Sequence, residues 1–191
     1  MQYRTLFCSF FIVLMLTGCA SFLSKTEPIT EDSSCITIGN ILEVKNPDSR
    51  LILLDHKETL AAEGLYYLSF GITDQNNKEE ELQSYPAQLY LLAGEAKNNE
   101  EAQYNMDTWL SASKENYQIL EEKEISCKEQ TYFVLSYSRS DIDSTYTKGI
   151  SAFSTIDQIA ICIELISTEN FSEDLETTIT NFLNNCSYLT D

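Results

Sequence analysis

The sequence predicts an α+β domain in which an antiparallel sheet is flanked by two main helices. Short apolar runs separated by turn-forming stretches are typical of strands that pair with their sequence neighbours. Two other stretches, 98–116 and 172–186, have the apolar spacing of amphipathic helices. Because the helices interrupt groups of strands instead of alternating with single strands, the order favours α+β layering.

The ordered domain is expected to span residues 35–191 and to begin with short strands. Apolar residues alternate or cluster at 35–38 and 41–44, and the segment 46–49 is a predicted turn. The apolar run 51–54 is too short to assign to a helix or a strand. Segments 65–73 and 87–95 predict a hairpin whose long connection includes the charged stretch 74–81.

The first helix is predicted at 98–116, with Asn98 as its N-cap and two glutamates in its first turn. One face of this helix carries Ala102, Met106, Trp109, Leu110, Ser113 and Tyr117. Core packing is the predicted role of Trp109, and stacking against a ligand is the alternative.

Strands return at 117–128, 131–139, 146–155 and 157–167. The last of these is apolar on both faces, which predicts a central strand covered on both sides. A second helix is predicted from Ser172, as N-cap, to about Cys186. Its apolar stripe is Leu175, Ile179, Phe182, Leu183 and Cys186.

This order of elements resembles the small α/β/α sandwich of the PsbP subunit of photosystem II and its bacterial lipoprotein relatives. The similarity covers residues 41–189 and rests on the pattern of elements, since no diagnostic motif is present. It implies a non-catalytic binding or assembly factor, and it carries over no site residue.

Residues 1–18 are predicted to be a signal peptide. A basic start at Arg4 precedes an apolar run, 6–16, that is interrupted by Ser9. A helix of that length rises about 16 Å, too little for a hydrocarbon core of about 30 Å. A basic start, an apolar middle and small residues at the end are the order of a secretory signal.

The end of this segment, Leu16-Thr17-Gly18-Cys19, resembles the lipobox of bacterial lipoproteins. The resemblance implies that the Cys19 thiol is lipidated, that the chain is cut before it, and that acyl chains anchor it to a membrane of the cell envelope. Since the residue after Cys19 is not Asp, the outer membrane is favoured where the envelope has two membranes. An ordinary secretory cut nearby and an uncleaved anchor are the alternatives.

Residues 19–34 are predicted to be a lipidated flexible tether, because they are rich in Ser, Thr and Glu and have no apolar period. The whole chain carries 30 acidic and 12 basic residues, a net charge of −18. Binding of nucleic acid needs a basic patch, so the composition excludes it as a partner.

The six cysteines fall into two groups by position. Cys8 and Cys19 belong to the amino-terminal segment, and the other four belong to the predicted domain. In an oxidising compartment the other four predict up to two disulfides, with three possible connectivities. These possible disulfide residues are Cys35, Cys127, Cys162 and Cys186. Buried free thiols are the alternative. A zinc site is disfavoured, because no pair has C-x-x-C spacing and His56 is the single histidine.

Motifs for catalysis are incomplete. Ser111 and Lys114 match the S-x-x-K pattern, but the accompanying S-D-N and K-T-G elements are missing. Asp141 and Asp143 resemble the start of a calcium loop, which would need Gly at its sixth position and Glu at its twelfth, where Tyr146 and Ala152 stand. No catalytic residue, metal or cofactor is therefore predicted.

The sequence predicts a membrane-anchored lipoprotein that acts as a non-catalytic protein-binding or assembly module. The alternative is a small-ligand carrier with a cleft beside the sheet. A closed apolar pocket would favour the carrier, whereas an exposed apolar or aromatic patch would favour the protein-binding module. The 11 tyrosines are candidates for such a patch, although strand packing explains most of them.

Overall fold

A computed structural model describes residues 29–32, 35–38, 41–45, 51–58, 64–72, 85–139 and 145–189, with 29–32 and 55–58 as backbone alone. These residues form eleven strands in two sheets, with two helices. The strands are β1 (Ile29–Asp32), β2 (Cys35–Ile38), β3 (Leu42–Lys45), β4 (Leu51–Glu58), β5 (Leu65–Ile72), β6 (Ala87–Glu95), β7 (Gln118–Cys127), β8 (Gln130–Ser138), β9 (Lys148–Ile156), β10 (Ile159–Ser167) and β11 (Cys186–Tyr188). The helices are α1 (Asn99–Asn116) and α2 (Leu175–Asn184).

The large sheet has seven strands in the order β4-β5-β6-β10-β9-β8-β7. Neighbours pair antiparallel throughout, and the register places Ile163 of β10 between Leu91 of β6 and Ala152 of β9. β10 therefore lies at the centre of the sheet, as its two apolar faces predict. β4 and β7 are the edge strands.

One face of the large sheet is mainly aliphatic and packs against α2 and the small sheet, which has the order β1-β2-β3-β11. On β10 this face presents Ile161, Ile163 and Leu165, each 0% exposed. α2 contributes Phe182, whose ring centroid lies 6.1 Å from that of Phe70. We call this side of the large sheet the aliphatic face.

The opposite face packs against α1, whose start is fixed by Asn98 as predicted. The Asn98 side chain accepts a hydrogen bond from the Glu101 backbone N–H at 2.8 Å. Ala102 is fully buried, and Met106, Trp109 and Leu110 pack against the sheet, which confirms the predicted helix face. A Cβ atom added at Gly94 would lie 3.3 Å from the Trp109 ring, so a small residue there lets the indole approach the strand.

The second helix differs from its prediction at both ends. Its N-cap is Asp174 and not Ser172, because the Asp174 carboxylate accepts hydrogen bonds from both the backbone N–H and the hydroxyl of Thr177. These hydrogen bonds lower the pKa of Asp174. Cys186 lies beyond the helix, on β11, where it pairs with Val44 of β3. The inward orientation predicted for Cys186 is nevertheless confirmed, since its side chain is 1% exposed.

The domain contains a second sheet in addition to the predicted antiparallel sheet flanked by two helices. The four-stranded sheet shares the aliphatic face with α2, and its first strand, β1, lies within the segment predicted to be a tether. The apolar run 51–54, which the sequence does not assign to a helix or a strand, is the first half of β4. Neither helix in the described part of the chain has the length and hydrophobicity needed to cross a bilayer.

Candidate functional site

The α1 side of the large sheet carries a cluster of tyrosines and polar groups, and we call it the tyrosine face; the opposite side is mainly aliphatic but includes Tyr66, Phe70 and Tyr132. The tyrosines of the tyrosine face include Tyr67, Tyr85, Tyr90, Tyr117 and Tyr137. They come from β5, β6, β8 and the segments that flank β6 and β7. α1 packs over the β6–β10–β9 part of this face and leaves the β4 end accessible.

Two glycines let tyrosine rings lie flat on the strands. A Cβ atom added at Gly71 would lie 2.5 Å from the Tyr85 ring, and one added at Gly149 would overlap the Tyr137 ring. Neither glycine has the positive φ that would explain its presence by backbone conformation. Close approach of an aromatic ring is therefore the reason for glycine at both positions.

Tyr137 connects the aromatic rings to a carboxylate. Its hydroxyl donates a hydrogen bond to Glu164, and the Ser151 hydroxyl donates to Tyr137 at 3.4 Å. Its ring stacks on Tyr117, with centroids 4.1 Å apart and planes 3° from parallel. Burial, followed by the nearby charge of Glu164, raises the pKa of Tyr137 well above its ordinary value of 10.0.

Arg139 is the single arginine among the described residues, and it lies at the end of this stack. Its guanidinium carbon is 5.9 Å from the centroid of Tyr117, within the range of a cation–π interaction. Its Nε and the hydroxyl of Thr147 are buried, and neither has a hydrogen-bond partner among the described groups. The tyrosine face thus holds a cation and a carboxylate at two ends of one aromatic stack.

The accessible end of the tyrosine face is an outer patch formed by Ile52, Leu54, Tyr67 and Tyr90. Ile52 and Leu54 are each 41% exposed. Leu51 and Leu53, which alternate with them along β4, pack against the core instead. The rings of Tyr67 and Tyr90 stack with centroids 6.1 Å apart. Burial, together with the charge of Glu164, raises the pKa of Tyr90 to about 12, so this tyrosine is neutral at physiological pH.

A second feature is a groove of about 320 Å³ between α2 and the ends of β7, β8 and β9. We call it the acidic groove. Apolar side chains and carboxylates both line it, and Lys148 is its basic side chain. The apolar residues are Leu120, Ile150, Phe171 and Leu175, and the acidic ones are Glu121, Glu173, Asp174 and Glu176.

The groove contains an apolar side chain that the fold itself turns outward. The pairing of β7 with β8 shifts register between Ile119 and Glu121, which places Leu120 at a β-bulge. Bulges at sheet edges re-aim side chains, and Leu120 is 65% exposed. On the rim, Lys123 bridges two carboxylates, at 3.1 Å from Glu121 and 2.6 Å from Glu176.

The predicted disulfides are not present in the structure, in which Cys35, Cys127, Cys162 and Cys186 are free thiols. Cys162 lies on the tyrosine face, while Cys127 and Cys186 belong to the aliphatic side. The sheet therefore separates Cys162 from the other two. Cys127 donates to the Asn184 side chain at 3.0 Å, and burial raises the pKa of both Cys162 and Cys186.

Among the residues that the structure describes, the others singled out by sequence do not assemble into a site. Cys19 and the turn at 141–144 lie outside the described residues, and His56 is described by its backbone on β4. Lys114 pairs with Glu122 at 2.6 Å and lies 5.0 Å from the centroid of the Phe133 ring, which gives it a structural role. In the described part of the chain, no three His, Cys, Asp or Glu side chains are grouped to hold a metal ion.

Sequence reasoning missed both the tyrosine face and the acidic groove as assembled surfaces. One local signal for the first was available, since Glu164 interrupts an otherwise apolar strand that the pattern places at the centre of a sheet. No local signal marks Leu120, because its exposure depends on a register shift between two strands.

Comparison with known proteins places the fold. No protein family model and no curated protein match the sequence. A protein of Bacteroides thetaiotaomicron is 8% identical over 78% of this chain and 46% of its own, with a TM-score of 0.47. The solution structure of cyanobacterial PsbP (CyanoP) from Synechocystis sp. PCC 6803 is 15% identical, covers 90% of this chain and 98% of its own, and has a TM-score of 0.50. The chain therefore has a PsbP-like fold.

Proposed function

We propose that this protein is a lipid-anchored, non-catalytic module that binds another protein of the cell envelope. The observation that carries the proposal is the outer patch of Ile52, Leu54, Tyr67 and Tyr90 at the accessible end of the tyrosine face. Tyrosine and large aliphatic side chains together are characteristic of the buried centre of protein interfaces. Ile52 and Leu54, at 41% exposure, would lose their contact with water in such a complex.

The location of the patch supports the same role. β4 is an edge strand, so its outer backbone groups have no strand neighbour among the described residues. An edge strand with exposed apolar side chains tends to associate with another chain. Charged residues follow one another on both edges, at 55–58 on β4 and at 121–124 on β7. A partner that covers the apolar first half of β4 would bury Ile52 and Leu54 together with the outer patch.

The alternative, a small-ligand carrier, is less well supported. Such a protein needs a cavity that encloses most of its ligand behind mainly apolar walls. The acidic groove is open to solvent and is rimmed by four carboxylates. It therefore does not enclose a small molecule behind apolar walls.

We also propose that acyl chains on Cys19 hold the domain at a membrane, with the outer membrane favoured. Cys19→Ala should remove the lipid site and release the protein into the soluble fraction, as measured by fractionation and by incorporation of labelled fatty acid. Cys8→Ala is the matched control and should change neither result. Continued membrane association of Cys19→Ala with no change in labelling would contradict the lipid anchor.

The partner proposal is tested by placing a photoreactive amino acid at one position at a time in the full-length chain. With the reactive group at Ile52, irradiation of intact membranes should give a discrete adduct with one other protein. Tyr104 of α1 is the matched control, because it is 70% exposed and lies outside the patch. The same adducts at both positions, or none at Ile52, would overturn the proposal.

A further inference from the structure

We propose that Tyr137 and Glu164 form a proton-coupled redox pair, in which Tyr137 gives one electron to an external one-electron oxidant and Glu164 accepts its phenolic proton. The pair lies on the tyrosine face, next to the ring of Tyr117. This chemistry takes place within the domain. It goes beyond the proposed binding of a partner protein and does not depend on it.

The hydrogen-bond acceptor of Tyr137 is a base, and this matters because the loss of an electron makes a phenol far more acidic. The Tyr137 hydroxyl donates to the carboxylate of Glu164. Two other tyrosine hydroxyls donate to much weaker bases, since Tyr90 donates to the side-chain amide oxygen of Gln88 and Tyr146 to a backbone carbonyl. A carboxylate in contact with the hydroxyl can take the proton as the electron leaves, which lowers the potential at which Tyr137 is oxidised.

The step balances in atoms and in charge. One electron passes from the Tyr137 ring to the oxidant, the phenolic O–H bond breaks, and a new O–H bond forms on the Glu164 carboxylate. The phenol carries its proton at physiological pH, because burial and the charge of Glu164 raise the pKa of Tyr137 well above 10.0. The products are a neutral tyrosyl radical and a neutral carboxylic acid. Return of an electron and of the proton restores both groups.

The stacked ring of Tyr117 gives the buried Tyr137 a path to the surface. Tyr137 is 1% exposed, whereas Tyr117 is half-buried. Their centroids are 4.1 Å apart and their planes are 3° from parallel, a contact that favours electron transfer between the rings. The Arg139 guanidinium, 5.9 Å from the centroid of Tyr117, disfavours oxidation of that ring, whereas the charge of Glu164 favours oxidation of Tyr137. The two charges therefore direct the oxidised site inward, from Tyr117 to Tyr137.

Burial protects the radical once it has formed. The Tyr137 ring lies against Gly149, and Tyr117 covers it. The hydroxyl of Ser151, itself 1% exposed, donates to the Tyr137 oxygen at 3.4 Å and can continue to donate to it in the radical. A second radical cannot reach this ring, so we expect the Tyr137 radical to decay by the return of an electron and to be long-lived.

The test uses the purified full-length protein in detergent, with a photoexcited ruthenium tris-bipyridine complex and a cobalt(III) acceptor as the source of the one-electron oxidant. We expect illumination to give a long-lived tyrosyl radical. Its high-field electron paramagnetic resonance spectrum should show the lowered gx of a hydrogen-bonded phenoxyl, because Glu164 now donates the transferred proton back to Tyr137. After exchange into deuterium oxide, electron–nuclear double resonance should show an exchangeable deuteron coupled to the radical, a measurement that needs no variant.

Two variants assign the radical to the pair. Tyr137→Phe should abolish the long-lived signal. Glu164→Gln keeps a hydrogen-bond acceptor of the same shape but removes the base, so the yield of the radical should fall and its gx should rise. Tyr132→Phe is the matched control, because Tyr132 is also 1% exposed but shares its hydrogen bond with the hydroxyl of Tyr188. This control should leave the signal unchanged, and urea denaturation checks that each variant is folded.

Three results would overturn the proposal. The first is the same long-lived signal in Tyr137→Phe, which would place the radical on another residue. The second is an unchanged yield and gx in Glu164→Gln, which would mean that the carboxylate does not take the proton. The third is the absence of a coupled exchangeable deuteron in the unsubstituted protein.

Discussion

The two faces of the seven-stranded sheet differ in composition although they are built from the same strands. On β10, the residues Ile161, Ile163 and Leu165 point to the aliphatic face, where α2 and the small sheet bury them completely. The residues between them, Cys162 and Glu164, point to the tyrosine face. Alternation along β10 therefore places apolar side chains on one face of the sheet and a thiol and a carboxylate on the other.

Stability alone is enough to explain the composition of one of these two faces. Burial of aliphatic side chains is sufficient reason for every side chain of β10 on the aliphatic face. A carboxylate in a half-buried position is costly unless its hydrogen bonds are satisfied, and Glu164 has the Tyr137 hydroxyl as one partner. The opposite face also has a tyrosine pair, since the hydroxyl groups of Tyr132 and Tyr188 share a hydrogen bond, but the stack of Tyr117 and Tyr137 lies between a carboxylate and a guanidinium.

The largest expected effect comes from the aliphatic face. Ile163→Ala removes a side chain that is 0% exposed at the centre of the sheet. The cavity that it leaves should lower the free energy of unfolding by about 2–5 kcal/mol, measured by urea denaturation. A loss below about 1 kcal/mol would mean that this face is not the tightly packed core of the domain.

A smaller effect is expected where the tyrosine face needs glycine. Gly149→Ala places a methyl group where the Tyr137 ring lies, so the ring and its stack with Tyr117 must shift. The free energy of unfolding should fall by about 1–3 kcal/mol. Gly94→Ala is the matched control, because its methyl group would lie 3.3 Å from Trp109 and should be tolerated better. Equal losses for the two variants would contradict the role assigned to Gly149.

Both faces should respond to alkaline pH in the same direction. Burial raises the pKa of Cys162 and Cys186 above 9.0, and of Tyr132, Tyr137 and Tyr188 above 10.0. A group whose pKa is higher in the folded than in the unfolded protein binds more protons in the folded state. Its contribution to the free energy of unfolding is complete below the unfolded pKa and is lost as the pH rises through the folded pKa. Denaturation measured at increasing pH should show constant stability up to about pH 9 and a progressive decline above it. A rise in stability above pH 10 would contradict these burials.

The smallest effect distinguishes the two faces within that alkaline range. The charge of Glu164 contributes to the raised pKa of Tyr137 and Tyr90 on the tyrosine face. Glu164→Gln should therefore lower the pH at which Tyr90 ionises, which is about 12 in the unsubstituted protein, as followed by tyrosinate absorbance. Tyr132, whose raised pKa has no contribution from Glu164, should titrate unchanged. An identical titration curve for the variant would place the carboxylate away from these rings.

The sequence predicts helices and strands well where a single apolar periodicity dominates. It fails where contacts between distant segments decide which of two locally acceptable structures forms. The faces of α1 and β10 follow directly from the spacing of their apolar residues. Ser172 and Asp174 are both good N-caps, and hydrogen bonds to Thr177 show that Asp174 is the one used. Cys186 continues the helical stripe in sequence, but pairing with Val44 places it on a strand. The tyrosine face and the acidic groove depend on strand register and on glycine positions far apart in the chain, which no local pattern specifies.

The most direct test of the central claim, that a partner covers the outer patch, compares chemical modification of tyrosines in two settings. Nitration of Tyr67, Tyr90 and Tyr104 is measured by mass spectrometry in intact membranes and in the purified protein. We predict that Tyr67 and Tyr90 react more slowly in membranes than in the purified protein, while Tyr104, which is 70% exposed on α1, reacts equally in both. Equal rates for all three tyrosines in the two settings would contradict the claim.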